Sequence, residues 1–272
     1  MQNFPCTPNE MFQSLWRNRS LIKTLVKREV LGRYKGSLFG ILWSFFNPIL
    51  MLFVYTFVFS VIFKMKWGGG SDSRAEFALI IFSGLIIFNL FSECFNRSAT
   101  LILANANYVK KVVFPLEILP IVSLGSAIFH SAISYLVWFL AYFIFCGIPH
   151  FTAILMPLVM IPLIFFILGV TWIFSSLGVY LRDIAQLTGP LTTIIMFLSP
   201  IFYPISALPE EFQVYLRLNP LAPVLEQARQ VMFWGVIPDY FQYLVCLIIA
   251  LISACLGFMC FQKARRGFAD VI

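Results

Sequence analysis

The sequence predicts an all-α integral membrane protein: six transmembrane helices, an amphipathic interface helix ahead of them, and re-entrant outer helices between spans five and six. Three observations predict it. Six apolar stretches, at 39–63, 78–101, 119–146, 152–180, 187–203 and 241–261, occupy most of the 272 residues. A helix crosses the hydrocarbon core in roughly 20 residues, because lipid offers no partner for an open backbone amide and the helix satisfies its own. The composition is 60% hydrophobic and 11% charged, with a mean hydropathy of +0.89, whereas a soluble domain carries roughly a quarter charged residues. Finally, the Lys and Arg residues fall unevenly about the stretches.

Residues 1–38 form the first element, a polar and basic N-terminal segment without the apolar core of a cleavable signal, so insertion is expected to rely on the first span. Within it, Phe12, Leu15, Ile22, Val26 and Val30 fall in an arc of roughly 80° at 100° per residue, with Arg17, Lys27 and Arg28 on the far side and Arg19 intruding. This reads as one helix along the membrane surface, either a positive-inside anchor or a docking surface for a partner. Basic loops resist translocation. Arg17, Arg19, Lys23, Lys27, Arg28, Arg33 and Lys35, with Lys110, Lys111, Arg182, Lys263, Arg265 and Arg266, place thirteen cations on one side of six spans; Lys64, Lys66, Arg74, Arg217 and Arg229 place five on the other. Both termini are therefore expected in the cytoplasm. The formal charge of +7 sits at membrane flanks, which favours anionic headgroups over nucleic acid as partner.

Span one carries Phe39, Trp43, Phe46, Phe53 and Phe57 along one face, with Leu50 among them. The stripe is either ordinary packing or an aromatic track on which sugar rings stack through their C–H faces. Span two carries Asn89, Glu93, Asn96 and Thr100 on one face, with Arg97 four residues after Glu93. Ionisable groups in a span face a bundle interior or a water-filled cavity, so this stripe reads as a pathway lining, an ion pair locking two spans, or both. His130 in span three reads as a packed or hydrogen-bonded residue, and Arg182 and Asp183 at the end of span four as a local pair. Span five is short, and the prolines that follow it, Pro200, Pro204, Pro209, Pro220, Pro223 and Pro238, break helices. Leu221, Val224, Leu225, Val231, Met232, Phe233 and Trp234 are too apolar for a free loop. Residues 204–240 are thus expected to dip back as two short helices broken near Asn219–Pro220. Span six and a short tail, 262–272, complete the chain. The cysteines lack metal-ligand spacing, so no metal site is expected.

Several segments carry a family resemblance. Arg28-Glu29-Val30-Leu31-Gly32-Arg33-Tyr34-Lys35-Gly36-Ser37-Leu38-Phe39-Gly40-Ile41-Leu42-Trp43, ending at Asn47-Pro48, resembles the segment leading into span one of type-2 ABC exporter permeases of the polysaccharide branch, which exports O-antigen, capsule and teichoic acid. Asn107-Tyr108-Val109-Lys110-Lys111-Val112-Val113-Phe114-Pro115, Tyr180-Leu181-Arg182-Asp183-Ile184, Ser199-Pro200-Ile201-Phe202-Tyr203-Pro204 and Leu218-Asn219-Pro220-Leu221 are similar to further segments of that family, in the same order. The resemblance implies one transmembrane domain over 39–261, with its outer gate in 204–240, exporting a lipid-linked glycan across the inner membrane. It implies a homodimer of permeases joined to two copies of a separate ATPase. No Gly-Lys pair occurs anywhere, so the chain lacks a phosphate loop; ATP and Mg are expected on the partner, and this chain is expected to be a permease, not an enzyme.

The residues expected to couple to the ATPase are Glu29, Arg33, Tyr34, Asn107, Tyr108, Lys110, Lys111 and Phe114. Those expected along the pathway are Phe39, Trp43, Phe46, Phe53, Phe57, Asn89, Glu93, Asn96 and Arg97, and those of the outer gate are Pro200, Tyr203, Pro204, Asn219 and Pro220. An exporter of hydrophobic small molecules shares the six-span plan. A stand-alone secondary transporter or channel would show internal repeats or several acidic groups at mid-membrane, and neither is visible.

Overall fold

The computed structural model describes residues 7–58, 74–110 and 114–272, of which Lys111 and the end of the first apolar stretch, 59–63, are not part. The structure is 84% helix, and no strand occurs among the described residues. Thr7 starts the first helix, α1 (Pro8–Arg17): its hydroxyl accepts the Glu10 amide at 3.3 Å, and Pro8 sits in the first turn. The expected single surface helix is instead two. Asn18 leaves helical geometry (φ −97°, ψ 12°), its amide donates to the Ser14 carbonyl at 2.9 Å, and α2 (Arg19–Arg33) restarts beyond it. The break also resolves the intrusion of Arg19, whose guanidinium lies 4.9 Å over the Trp16 ring instead of facing the apolar arc.

Among the described residues, five helical segments are long and apolar enough to cross a membrane: 40–58, 75–98, 116–145, 151–180 and 240–271. Their cores are α3 (Trp43–Tyr55), α4 (Arg74–Ser98), α6 (Leu119–Phe145), α7 (Met156–Tyr180) and α11 (Tyr240–Ala264); the short α5 (Ala106–Lys110) lies between α4 and α6. The fifth apolar stretch supplies only the 14-residue α8 (Ile184–Phe197), which ends at the turn through Ser199 and Pro200. Beyond it, α9 (Glu210–Arg217) and α10 (Leu221–Arg229) are separated at Asn219–Pro220, and a single π turn, Gln230–Trp234, extends α10.

Helix α4 is the axis of the bundle. In its most apolar window 83% of residues are buried, against 6% for α3, which lies at the periphery. Two fully buried indoles tie the layers: Trp138 of α6 donates to the Leu79 carbonyl, and Trp172 of α7 to the Glu117 carbonyl, each at 3.0 Å. A buried indole N–H without such a partner would be costly. Helices α7 and α11 approach at backbone distance because Gly169 faces Gly257; a Cβ on Gly257 would fall onto the Gly169 carbonyl oxygen. In lipid, where apolar surface gives no drive to associate, small residues of this kind let helices gain contact. Helix α10 is walled in, with Leu221, Ala222, Val224, Leu225 and Ala228 all buried.

Candidate functional site

Polar groups concentrate at two ends of the bundle, one beside α1 and α2 and the other beside α10. At the first, α2 is bound to α4 by two ion pairs: Arg97 to Glu29 at 2.6 Å and Arg33 to Glu93 at 2.8 Å. The four-residue spacing on both helices makes them two rungs in antiparallel register. Glu93 and Arg97, four residues apart on α4, each take a partner on another helix, as the ion-pair reading of this stripe expects, but that helix is α2 and not another span. His130 of α6 joins the second rung, its Nδ1 lying 2.8 Å from Arg33 Nη1 and 3.2 Å from both Glu93 oxygens, and the Tyr34 ring meets it edge-on at 6.1 Å. Burial raises the Tyr34 phenol above its ordinary pKa, so it stays neutral. These pairs are half exposed, worth about 0.2–1 kcal/mol each; their effect is to fix the angle of α2 more than to stabilise the fold. Gly125 of α6 completes the seat, since a Cβ there would meet Val26 of α2 at 2.6 Å.

The residues expected as a coupling set and those expected along a pathway thus meet in one cluster. Glu29, Arg33 and Tyr34 turn toward α4 and α6, where Glu93 and Arg97 receive them. On another flank of α2, Arg28 donates to the Tyr108 hydroxyl at 2.8 Å, and Tyr108 stacks on Phe114 with centroids 4.3 Å apart. Asn107 is exposed, and Lys110 donates to the Ile272 carbonyl at 2.6 Å.

Behind Phe114 lies a hub that the sequence reading missed. The Glu117 side chain is buried; it accepts from the Ser14 hydroxyl of α1 at 2.8 Å and from Arg265, at the end of α11, at 2.5 Å. Arg265 also donates to the Phe114 carbonyl at 2.8 Å. With Trp172 on the Glu117 backbone, one residue binds α1, the loop before α6, α7 and the tail. The tail itself is anchored by Phe268 of α12 (Phe268–Val271), which is fully buried beside Tyr180 and Phe261. Arg182 and Asp183, expected as a local pair, are both exposed and form no ion pair with each other.

At the other end, Asn219 and a second missed residue, Arg229, hold the turn after α8. Asn219 donates to the Ser199 hydroxyl at 2.9 Å, and its side-chain carbonyl oxygen accepts the Leu221 amide at 3.0 Å, a local turn that leads into α10. Arg229, only 3% exposed, donates to the Pro200 and Ile201 carbonyls at 2.6 and 2.7 Å. The Tyr203 hydroxyl closes the turn by donating to the Phe197 carbonyl at 2.8 Å. Pro200 and Pro204 flank the turn, and Pro220 precedes α10.

Between the two ends, Asn89 is distinctive: every residue from 77 to 91 is buried except this one. Asn96, two turns on, accepts from Thr192 of α8 at 2.9 Å. Phe39, Phe46, Phe53 and Phe57 are exposed along α3 and its flanks, and Phe39, Trp43 and Phe46 form an edge-to-face cluster with centroids 5.7–6.1 Å apart.

Residues 20–233 match the ABC-2 type transporter family of membrane proteins. The chain belongs to that family. Among ABC-2 relatives, it is similar to the O-antigen export system permease protein RfbA of Myxococcus xanthus, 25% identical over 96% of this chain and 99% of the relative. RfbA of Klebsiella pneumoniae is 27% identical over 93% of this chain and 95% of its own length. The polysialic acid transport protein KpsM of Escherichia coli is 24% identical over 90% and 94%. The ABC-2 match takes in α2, the ion-pair ladder, Glu117 and α10 with Arg229; α1 and the tail lie outside it.

Proposed function

We propose that this chain is the inner-membrane permease of an ABC exporter that moves a lipid-linked polysaccharide outward, driven by ATP and Mg bound and consumed on a separate subunit. The observation that carries the reading is the end-to-end similarity to permeases named for O-antigen and polysialic acid export, covering nine-tenths or more of this chain and of each relative. In this reading both termini face the cytoplasm, which the bias of thirteen cations against five favours, and α8 is the short fifth of six spans. Helices α9 and α10 form the re-entrant outer gate, and α2 lies at the inner membrane surface.

The functional unit is a homodimer with two ATPases. The exposed face of α3, the lone opening at Asn89 and the Asn96–Thr192 contact then line a conduit shared by two copies. Closure of the ATPases presses on α5 and the residues after it. Tyr108 passes that displacement to α2 through Arg28, and the backbone of Phe114 passes it to the tail through Arg265. The ladder on α4 converts a shift of α2 into a shift of the bundle axis, a rigid-body transition.

The deciding test is export in the host. Deleting this gene should remove glycan from the cell surface and leave lipid-linked polymer inside. Restoring it beside an ATPase whose phosphate-loop lysine is replaced should leave export off. Surface glycan at the undisturbed level in either strain rejects the assignment. Within the conduit, Trp43→Ala with Phe46→Ala should slow export severalfold at unchanged membrane abundance, since Phe46 is exposed, Trp43 is only half-buried, and neither belongs to the buried core. Export at the original rate returns that stripe to lipid contact.

A further inference from the structure

We infer that the groove between α2 and the start of span one holds an anionic phospholipid of the surrounding bilayer. The inference rests on the reading of α2 as a helix at the membrane surface. The groove has a volume of about 410 Å³ and apolar walls, formed by Ile22, Val26 and Val30 of α2, Ile41 ahead of α3 and Phe129 of α6. Two cations stand on its rim, Lys23 and Lys27, one turn apart on the same helix and both exposed.

Their neighbours in sequence are engaged. Arg17 pairs with Glu10, Arg19 covers Trp16, Arg28 bonds Tyr108 and Arg33 pairs with Glu93. Lys23 and Lys27 make no hydrogen bond or ion pair among the described residues. Two unpartnered ammonium groups above an apolar slot match a ligand with a phosphate head and a hydrocarbon tail. A soluble anion would leave the slot empty, and a neutral lipid would leave the lysines unanswered. The flank of α2 that carries Arg28 faces Tyr108, so the lipid would seat α2 from the side away from that loop.

The test uses the purified permease–ATPase complex in detergent, with retained lipid counted by native mass spectrometry during titration with phosphatidylglycerol or phosphatidylcholine of identical chains. Each lysine near an anionic headgroup contributes roughly fivefold in affinity, so K23Q/K27Q should weaken phosphatidylglycerol binding by about 25-fold and leave phosphatidylcholine unchanged. Ile41→Trp, which fills the slot without touching charge, should weaken both lipids. Lys35→Gln, an exposed cation off the groove, is the control and should bind as the parent does. A double variant within twofold of the parent, or an equal loss in the Lys35 control, overturns the site. A spin label at Ser20→Cys in the reconstituted complex separates the two ideas: headgroup depth without lipid preference rejects the groove alone, whereas a label in bulk water removes the interfacial placement of α2 as well.

Discussion

Glu117→Ala should destabilise the permease by about 3–5 kcal/mol, the usual cost of removing one partner of a buried ion pair. The loss has three parts. Arg265 sits largely out of water and would lose the Glu117 carboxylate; the Ser14 hydroxyl would lose its acceptor; and the space the side chain fills between α1 and α11 would empty. Thermal unfolding of the purified protein should shift down by roughly 10 °C. Glu117→Gln keeps the volume and an acceptor for Ser14, so it isolates the charge and should lose less. Pairing Glu117→Leu with Arg265→Met removes both charges together, and should recover much of the loss, because the desolvation of two ions is then also removed. Unfolding within about 1 °C of the parent for the alanine variant would mean that Glu117 is solvated in the membrane-bound protein. A double variant no better than Glu117→Ala would mean that a stranded Arg265 costs little and that the loss comes from the missing contacts themselves.

The helical bundle was legible because lipid makes length and apolarity nearly sufficient. The break at Asn219–Pro220 was legible because proline cannot continue a helix. What stayed hidden were partners distant in sequence. Glu117 and Arg265 are 148 positions apart, and Glu29 and Arg97 meet only because α2 folds back along α4. The polar stripe of α4 pointed to a partner on another helix, but nothing in its spacing singled out Glu29 and Arg33 of α2. Asn18 was read through, as a helix position, because the apolar arc continues on both sides of it. Arg229 counted only as a loop cation, yet it lies in a run where Leu225, Ala228, Val231 and Met232 are all buried, and a cation in that setting needs buried acceptors. Glu117, between Leu116 and Ile118, gave the same signal: a charge among apolar neighbours that has to be answered from elsewhere in the fold.

Arg229→Ala should disable the turn that the gate reading places at the outer mouth, at a cost of about 3 kcal/mol or more, since hydrogen bonds from a charged donor are worth roughly 1.5–3 kcal/mol each. The Pro200 and Ile201 carbonyls would both lose the guanidinium, in surroundings where the walls of α10 exclude water. Arg229→Lys should recover only part of this, because an ammonium is a point donor and cannot span two carbonyls as the planar fork does. An independent route to the same turn runs through α4. A Cβ on Gly84 would stand 2.9 Å from Arg229 Nη2, so Gly84→Val should push the guanidinium off its acceptors while leaving every charge in place. If Arg229 holds the gate, Arg229→Ala and Gly84→Val should both depress export more than they depress membrane abundance, and the double variant should be little worse than either alone. Additive losses would separate the two positions, and normal export with Arg229→Ala would show that the turn keeps its shape without the cation.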